Sequence, residues 1–284
     1  MNQGAKRSIL ILLLAGCATG RKPAVGPSTS PIPQPVIETS DNGPWSFAYR
    51  SDTIRYRISR SAAIESQTDS GTRREVATNN THEVLTITVD SDAIRYSAAV
   101  DTFSTATQGL IGSVQQVSLP VQISGVIDST RIATDSAGPV ESCDPVQSSL
   151  QSDLRNLLIN FPTQLSPGSS WRDSTVRTVC YGMVPLKATV IRKFSVVGGT
   201  SYNSQRAVAI QRMDSVAAHG EGRQQQHRLI IDAVGIGNAT YYLSAEQSRV
   251  LQLMTTQDID FAIQASGRTS RFRENAKEEY SLAR

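Results

Sequence analysis

Histidine is scarce in this chain: three residues in 284, at His82, His219 and His227. No HExxH or other close His pair occurs, which removes the common zinc-hydrolase signatures. Lysine is nearly as rare, five of 28 basic residues, and the formal charge is only +3. A nucleic-acid partner needs a concentrated basic face, so this balance argues against one. No apolar run approaches the roughly 20 residues that a membrane-spanning helix requires. There is no GxSxG elbow, no S-x-x-K and no P-loop. Gly235-Ile236-Gly237 lacks the third glycine and the following helix of a dinucleotide site. The expectation is a chain with no catalytic residues, no metal site and no cofactor.

What is present starts at the amino end. Met1 to Arg7 carries Lys6 and Arg7 and no acid, and Ile9 to Ala15 is a short apolar run. A basic start, a short apolar middle and small residues before a cut site make a secretory signal peptide. Leu14-Ala15-Gly16-Cys17 resembles the bacterial lipobox. That resemblance implies cleavage after residue 16 and lipid on Cys17, so that residues 1–16 are leader. Two or three acyl chains on one residue suffice for stable anchoring, whereas one does not. Ala18 follows the Cys where inner-membrane retention usually shows Asp. By resemblance to lipoprotein sorting, this implies an outer-membrane lipoprotein facing the periplasm, with the inner membrane and the cell surface left open.

Residues 17–44 hold the lipidated Cys and a tether with six Pro and few bulky apolar residues. Such a stretch cannot offset its ordering entropy by burial. As polyproline II it would reach roughly 80 Å, enough to lift a domain clear of headgroups. With Cys17 committed to lipid, Cys143 and Cys180 remain, an even pair in an oxidising compartment. Their expected disulfide closes a loop of about 37 residues, worth roughly 4 kcal/mol on the chain-entropy model.

Residues 45–284 read as one β-rich globular domain. Trp45, Phe47 and Tyr49 alternate with small residues, and Ile54, Tyr56, Ile58, Arg60, Ala62 and Ile64 share a strand face. Strands follow over 74–89 and from Ile94, with Leu85, Ile87 and Val89 on the buried side. Residues 104–119 read as loop, and Gly125 as a break between short strands. One amphipathic helix is expected over 144–161, capped by Asp144-Pro145, with Val146, Leu150, Leu154, Leu157, Leu158 and Phe161 as its stripe and Pro162 as its stop. From Trp171 strands resume, with reversals at Gly198-Gly199, Tyr202-Asn203, Gly220 to Gly222 and Ala245 to Gln247. The fold class is mainly β: a long antiparallel meander, as a curved sheet or half-barrel, with one helix. Trp45 and Trp171 each open a strand series, a hint of similar halves over 45–140 and 165–284.

Three weaker constellations remain. His219 and His227 flank the expected turn at Gly220 to Gly222, where Glu221 would supply a third zinc ligand; exposed hairpin residues are the plainer reading. Asp258 with Asp260, and Asp90 with Asp92, are paired acids that read as a wet strand face. Two N-x-T sequences, at Asn79 and Asn238, carry no weight in most bacteria. A long meander with one helix also resembles the LolA/LolB-like half-barrel carriers. That resemblance covers about residues 45–280 and rests on architecture alone. It implies a curved sheet around an apolar ligand or lipid, lined by Tyr56, Tyr96, Tyr241, Tyr242 or Phe261, with a helix over the opening. The alternative is an envelope structural protein whose helix stripe or sheet edge binds an envelope protein. The anchor has a direct check: a Cys17→Ser chain is expected to leave the detergent phase on partitioning, and one that remains there contradicts lipidation.

Overall fold

The computed structural model describes residues 43–283 apart from 69–70, 91–92, 109–120, 128–131, 135–142, 144, 182–183 and 225–226. The expected signal peptide, Cys17 and most of the expected tether therefore lie outside the described residues. The chain makes β1 (Trp45–Ser46), β2 (Asp52–Thr68), β3 (Gly71–Val89), β4 (Ile94–Gln108), β5 (Val121–Ile127) and β6 (Ile132–Thr134). The single described helix α1 (Pro145–Leu157) follows. After it come β7 (Gln164–Leu165), β8 (Ser170–Tyr181), β9 (Val184–Tyr202), β10 (Gln205–Gln224), β11 (His227–Ser244), β12 (Arg249–Ala265) and β13 (Arg268–Leu282).

Eleven strands form one antiparallel sheet in the order β6-β5-β4-β3-β2-β13-β12-β11-β10-β9-β8, and β1 with β7 makes a separate ribbon. The chain starts at the centre of the sheet with β2 and walks outward to β6. It then crosses through α1 to the opposite edge at β8 and walks back, so that β13 closes beside β2. The two strand series around the helix are thus halves of one sheet. Period-two burial explains the strands: along β9, Val184, Leu186, Ala188 and Val190 point inward while Lys187 and Thr189 stay wet.

The sheet curls into a half-barrel. Tyr181 at the end of β8 meets Phe261 of β12, with ring centroids 4.8 Å apart, and Phe272 of β13 at 6.0 Å. β12 lies four places from β8 in the sheet, so only strong curvature can bring these rings together. They belong to a packed cluster with Leu186, Leu229 and Ile231 at one end of the concave face.

At the other end the hollow is filled by α1. Val146, Leu150, Leu154 and Leu157 fall on one helical face and are buried against Tyr56, Ile58, Leu85, Tyr96 and Ile123. The helix touches β4 and β5 on one side and β8 on the other. It therefore stands between the two margins of the curled sheet. The Cys143–Cys180 disulfide ties its amino end to β8, and Ser148 Oγ accepts from the Cys180 amide at 3.4 Å.

Several local expectations need correction. α1 ends at Leu157, not Phe161, because the Tyr49 hydroxyl captures the backbone of Ile159. It donates to the Ile159 carbonyl and accepts from the Ile159 amide, each at 2.7 Å. Asp144 lies outside the described residues. β4 continues through Gln108, and β5 runs unbroken through Gly125, which pairs with Tyr96. Val89 is 39 % exposed rather than buried. Gly198-Gly199 does not reverse the chain. It sits at a bulge inside β9, where the register with β10 shifts beside Ile210 and Gly198 takes φ 155°.

Gly220 and Gly222 also lie inside a strand. β10 continues to Gln224 because these glycines let β9 pass close: a Cβ on Gly220 would strike the Pro185 carbonyl oxygen and sit 2.9 Å from Leu186 Cα. Gly220→Ala is expected to lower stability by about 1–3 kcal/mol, the usual cost of overpacking, in urea unfolding. An unchanged midpoint would show that the two strands separate freely there.

Candidate functional site

Polar side chains occupy the concave face beneath α1, at registers where an apolar core would be expected. On β2 the inward series Ile54, Tyr56, Ile58 continues with Arg60. Its cross-strand neighbour Glu278 on β13 shares that face, as does Tyr280 two residues on. From the helix, Asp153 and Asn156 point down among the stripe leucines, and Asp153 is fully buried.

These groups form one network. Arg60 pairs with Asp153, donates to Glu278 Oε1 at 3.3 Å and to Thr81 Oγ1 at 2.9 Å. The Tyr280 hydroxyl lies 2.7 Å from Asp153 Oδ1 and 2.8 Å from Glu278 Oε2, and accepts from Asn156 Nδ2 at 2.9 Å. Asn156 Oδ1 in turn accepts from Arg212 Nη1 at 2.9 Å. Arg212 binds Asp214 through Nε and Nη2 at 3.1 and 2.8 Å, and also donates to the Tyr241 hydroxyl. Burial opposes the Arg212 charge, but Tyr241 and Asp214 beside it raise the guanidinium above its ordinary range. The middle of α1 is thus held to β2, β10 and β13 by ionic and hydrogen-bonding groups as well as by its leucines.

Carboxylates outnumber cations at the centre. Glu83 of β3 is 3 % exposed and lies against Asp153. Burial, and then the Asp153 charge beside it, raise the Glu83 carboxyl well above the ordinary carboxylate range. Glu83 Oε1 and Asp153 Oδ2 are buried without a donor from elsewhere among the described residues. A proton held by Glu83 and donated to Asp153 satisfies both. Glu274 is raised too, by burial and then by Glu278.

The five aromatic residues expected to line a hollow do not form one open surface. Tyr56, Tyr96, Tyr241 and Phe261 are buried on the concave side, while Tyr242 packs on Tyr202 at 5.3 Å and stays half-exposed. Tyr56 is committed to the Val250 carbonyl at 3.0 Å. A small apolar cleft opens beside the end of α1, among Phe47, Tyr49, Tyr56, Leu157, Phe161 and Val250. Its free space is that of about one water molecule.

The weaker constellations resolve as surface features or ion pairs. His219 pairs with Asp232 at 2.7 Å, His227 bonds Ser266 Oγ at 2.8 Å, and Glu221 pairs with Arg228. His227 faces Gln224 across the hairpin, five positions from His219, so the proposed zinc trio is not assembled. Among the described residues no group of three His, Cys, Asp or Glu is arranged to hold a metal. Asp258 is not on a wet face: it is 8 % exposed and gripped by Arg273, whereas Asp260 is exposed. Asp90 pairs with Arg95 at the surface, and Asp92 lies outside the described residues. Among the described residues no helix is long and apolar enough to cross a membrane. No protein-family model matches the chain, and no curated protein is similar to it in sequence.

Sequence reading missed the network. The available signal was Asp153 and Asn156 interleaved with the helix leucines, and Arg60 on the face of Ile54 to Ile58.

The raised Glu83 carboxyl sets the sign of a pH effect. Above the unfolded carboxylate pKa, the folded chain holds a proton that the unfolded chain releases. Stability is therefore greatest on the acid side and falls as pH rises through the folded value, by at most about 1.4 kcal/mol per pH unit for one proton. Glu83→Gln, which keeps a donor to Asp153, is expected to flatten that slope and to raise the melting temperature at pH 8. Unfolding curves from pH 5 to 9 check this; an unchanged slope would show that Glu83 is ionised in the fold.

Proposed function

We propose that this chain is an exported, lipid-anchored binding or carrier module, non-catalytic, whose hollow accepts an apolar or amphipathic ligand when α1 moves aside. A half-barrel is compatible with such a module. The observation that carries the reading is the seating of α1. It lies between the two margins of the curled sheet, and its middle is fastened by Asp153 and Asn156 rather than by leucines alone. Replacing a buried ionic contact by ligand contacts requires no loss of the sheet, since the strands pair with one another and not with the helix. The lipobox at Cys17 supports a place in the bacterial envelope, the outer membrane first.

A second reading has its own observation. Val176, Met213, Val234 and Ile236 are each about 60 % exposed on the outward side of β8, β10 and β11. Such a patch suits an envelope interaction protein with no small ligand. Cross-linking in cells that recovered one reproducible protein partner through this face would favour it.

The carrier reading is tested on the chain purified from expressing cells. Solvent extraction and mass spectrometry are expected to find about one lipid per chain, or the purified chain to bind added lipid. Asp153→Asn, which removes one of the two carboxylate partners of Arg60 and leaves Glu278, is expected to cost about 1–3 kcal/mol of stability and to speed lipid exchange. A chain that binds no lipid in either form contradicts the reading.

A further inference from the structure

A second group of charged side chains lies along the seam between α1 and β8, apart from the network above. Arg192 of β9 is balanced. Its Nε and Nη2 grip the Asp173 carboxylate at 2.8 and 2.6 Å, and Nη1 donates to the Arg155 carbonyl at 2.6 Å. Arg155, in the last turn of α1, and Arg177, on the inward face of β8, have no such acid among the described residues. Arg155 Nη1 and Arg177 Nε are shut away from solvent and find no hydrogen-bond partner among the described residues.

Among the described residues the neighbouring strand positions offer no substitute. Directly across the sheet from Arg177 the inward positions are Ala188, Ala218 and Ala233, which carry no acceptor. Glu278 attracts Arg177 only as a lesser influence, and its oxygens already serve Arg60, Asn156, Thr255 and Tyr280. Among the described residues Asp173 is taken by Arg192, and Asp214, the inward acid across from Arg192 on β10, by Arg212. Burial and then Arg192 lower Arg155; burial and then Arg155 and Arg192 push Arg177 down to about 10, which leaves Arg177 charged at neutral pH. Buried donors of one charge without an acceptor are unfavourable, and an incoming anion would satisfy them.

We propose that Arg155 and Arg177 form an anion site at the α1–β8 seam, which takes the acidic group of the ligand, a carboxylate or phosphate, while the ligand's apolar part enters the hollow. The second clause rests on the carrier reading; the anion site does not. The helix contributes one of the two guanidiniums, so occupation of the site and movement of α1 are linked.

The test uses the full chain with three probes: oleate, its uncharged counterpart monoolein, and inorganic phosphate. Binding is read by titration and by the shift in melting temperature. Oleate is expected to bind at least about tenfold more tightly than monoolein, the factor that one charged hydrogen bond supplies. Arg155→Gln with Arg177→Gln is expected to erase that difference while leaving monoolein binding intact. Without ligand the double variant should melt no lower than the parent, because it loses unpaired charge. If it does melt lower, Arg177→Lys, which keeps the charge but not the fork, together with phosphate on the parent chain, decides the matter. Equal binding of oleate and monoolein with no response to phosphate overturns the anion site and leaves the carrier reading standing. A phosphate response that the double variant loses, with neither lipid bound, upholds the anion site and overturns the carrier reading. No response to any probe overturns both.

Discussion

Everything in this fold depends on how α1 occupies the space between the margins of a curled antiparallel sheet. Eleven strands in one layer cannot bury a face without either closing on themselves or finding a cover. Here both solutions are used. At one end the curl brings Tyr181 onto Phe261 and Phe272, so that the sheet packs on itself. At the other end the gap is wider and a helix fills it. The helix lies beside β8, to which Cys143 and Cys180 pin its start.

What holds the helix there is of two kinds, with different consequences. Leu150, Leu154 and Leu157 supply non-directional burial, worth about 1.5–3 kcal/mol for each side chain fully removed from water. Asp153 and Asn156 supply directional contacts that fix the helix's rotation and depth against Arg60, Tyr280 and Arg212. Buried ion pairs are poor sources of net stability, since desolvation offsets their attraction. Their value lies in specifying one seating, and in making that seating sensitive to protonation or to a competing ion. An all-apolar interface would be equally firm and far less responsive.

The broad architecture was legible in the sequence because period-two alternation and a single 3.6-residue stripe are strong local signals. The errors came where a residue's role is set by a distant strand. Gly220 and Gly222 look like a turn, yet they are needed because β9 approaches closely. Gly198-Gly199 looks like a reversal, yet it makes a bulge. Phe161 fits the helix stripe, but the Tyr49 hydroxyl, 110 residues away, ends the helix first. Asp258 reads as solvated until Arg273 is seen beside it. The network beneath α1 was hidden for the same reason: Arg60, Glu83, Asp153 and Glu278 sit on four separate elements, and each looks like an ordinary polar residue in its own segment.

The most direct measurement is native-state hydrogen exchange on the amides of α1 compared with those of β10 and β11. A helix latched by polar contacts onto an independently paired sheet opens in a partial unfolding event. Amides from Val146 to Leu157 should then exchange at a lower free energy than the central strands, and in Asp153→Asn the helix should open more easily still while remaining the first element to do so. If α1 and the central strands exchange together, with the free energy of global unfolding in both the parent chain and Asp153→Asn, the helix is an inseparable part of the core and no lid exists.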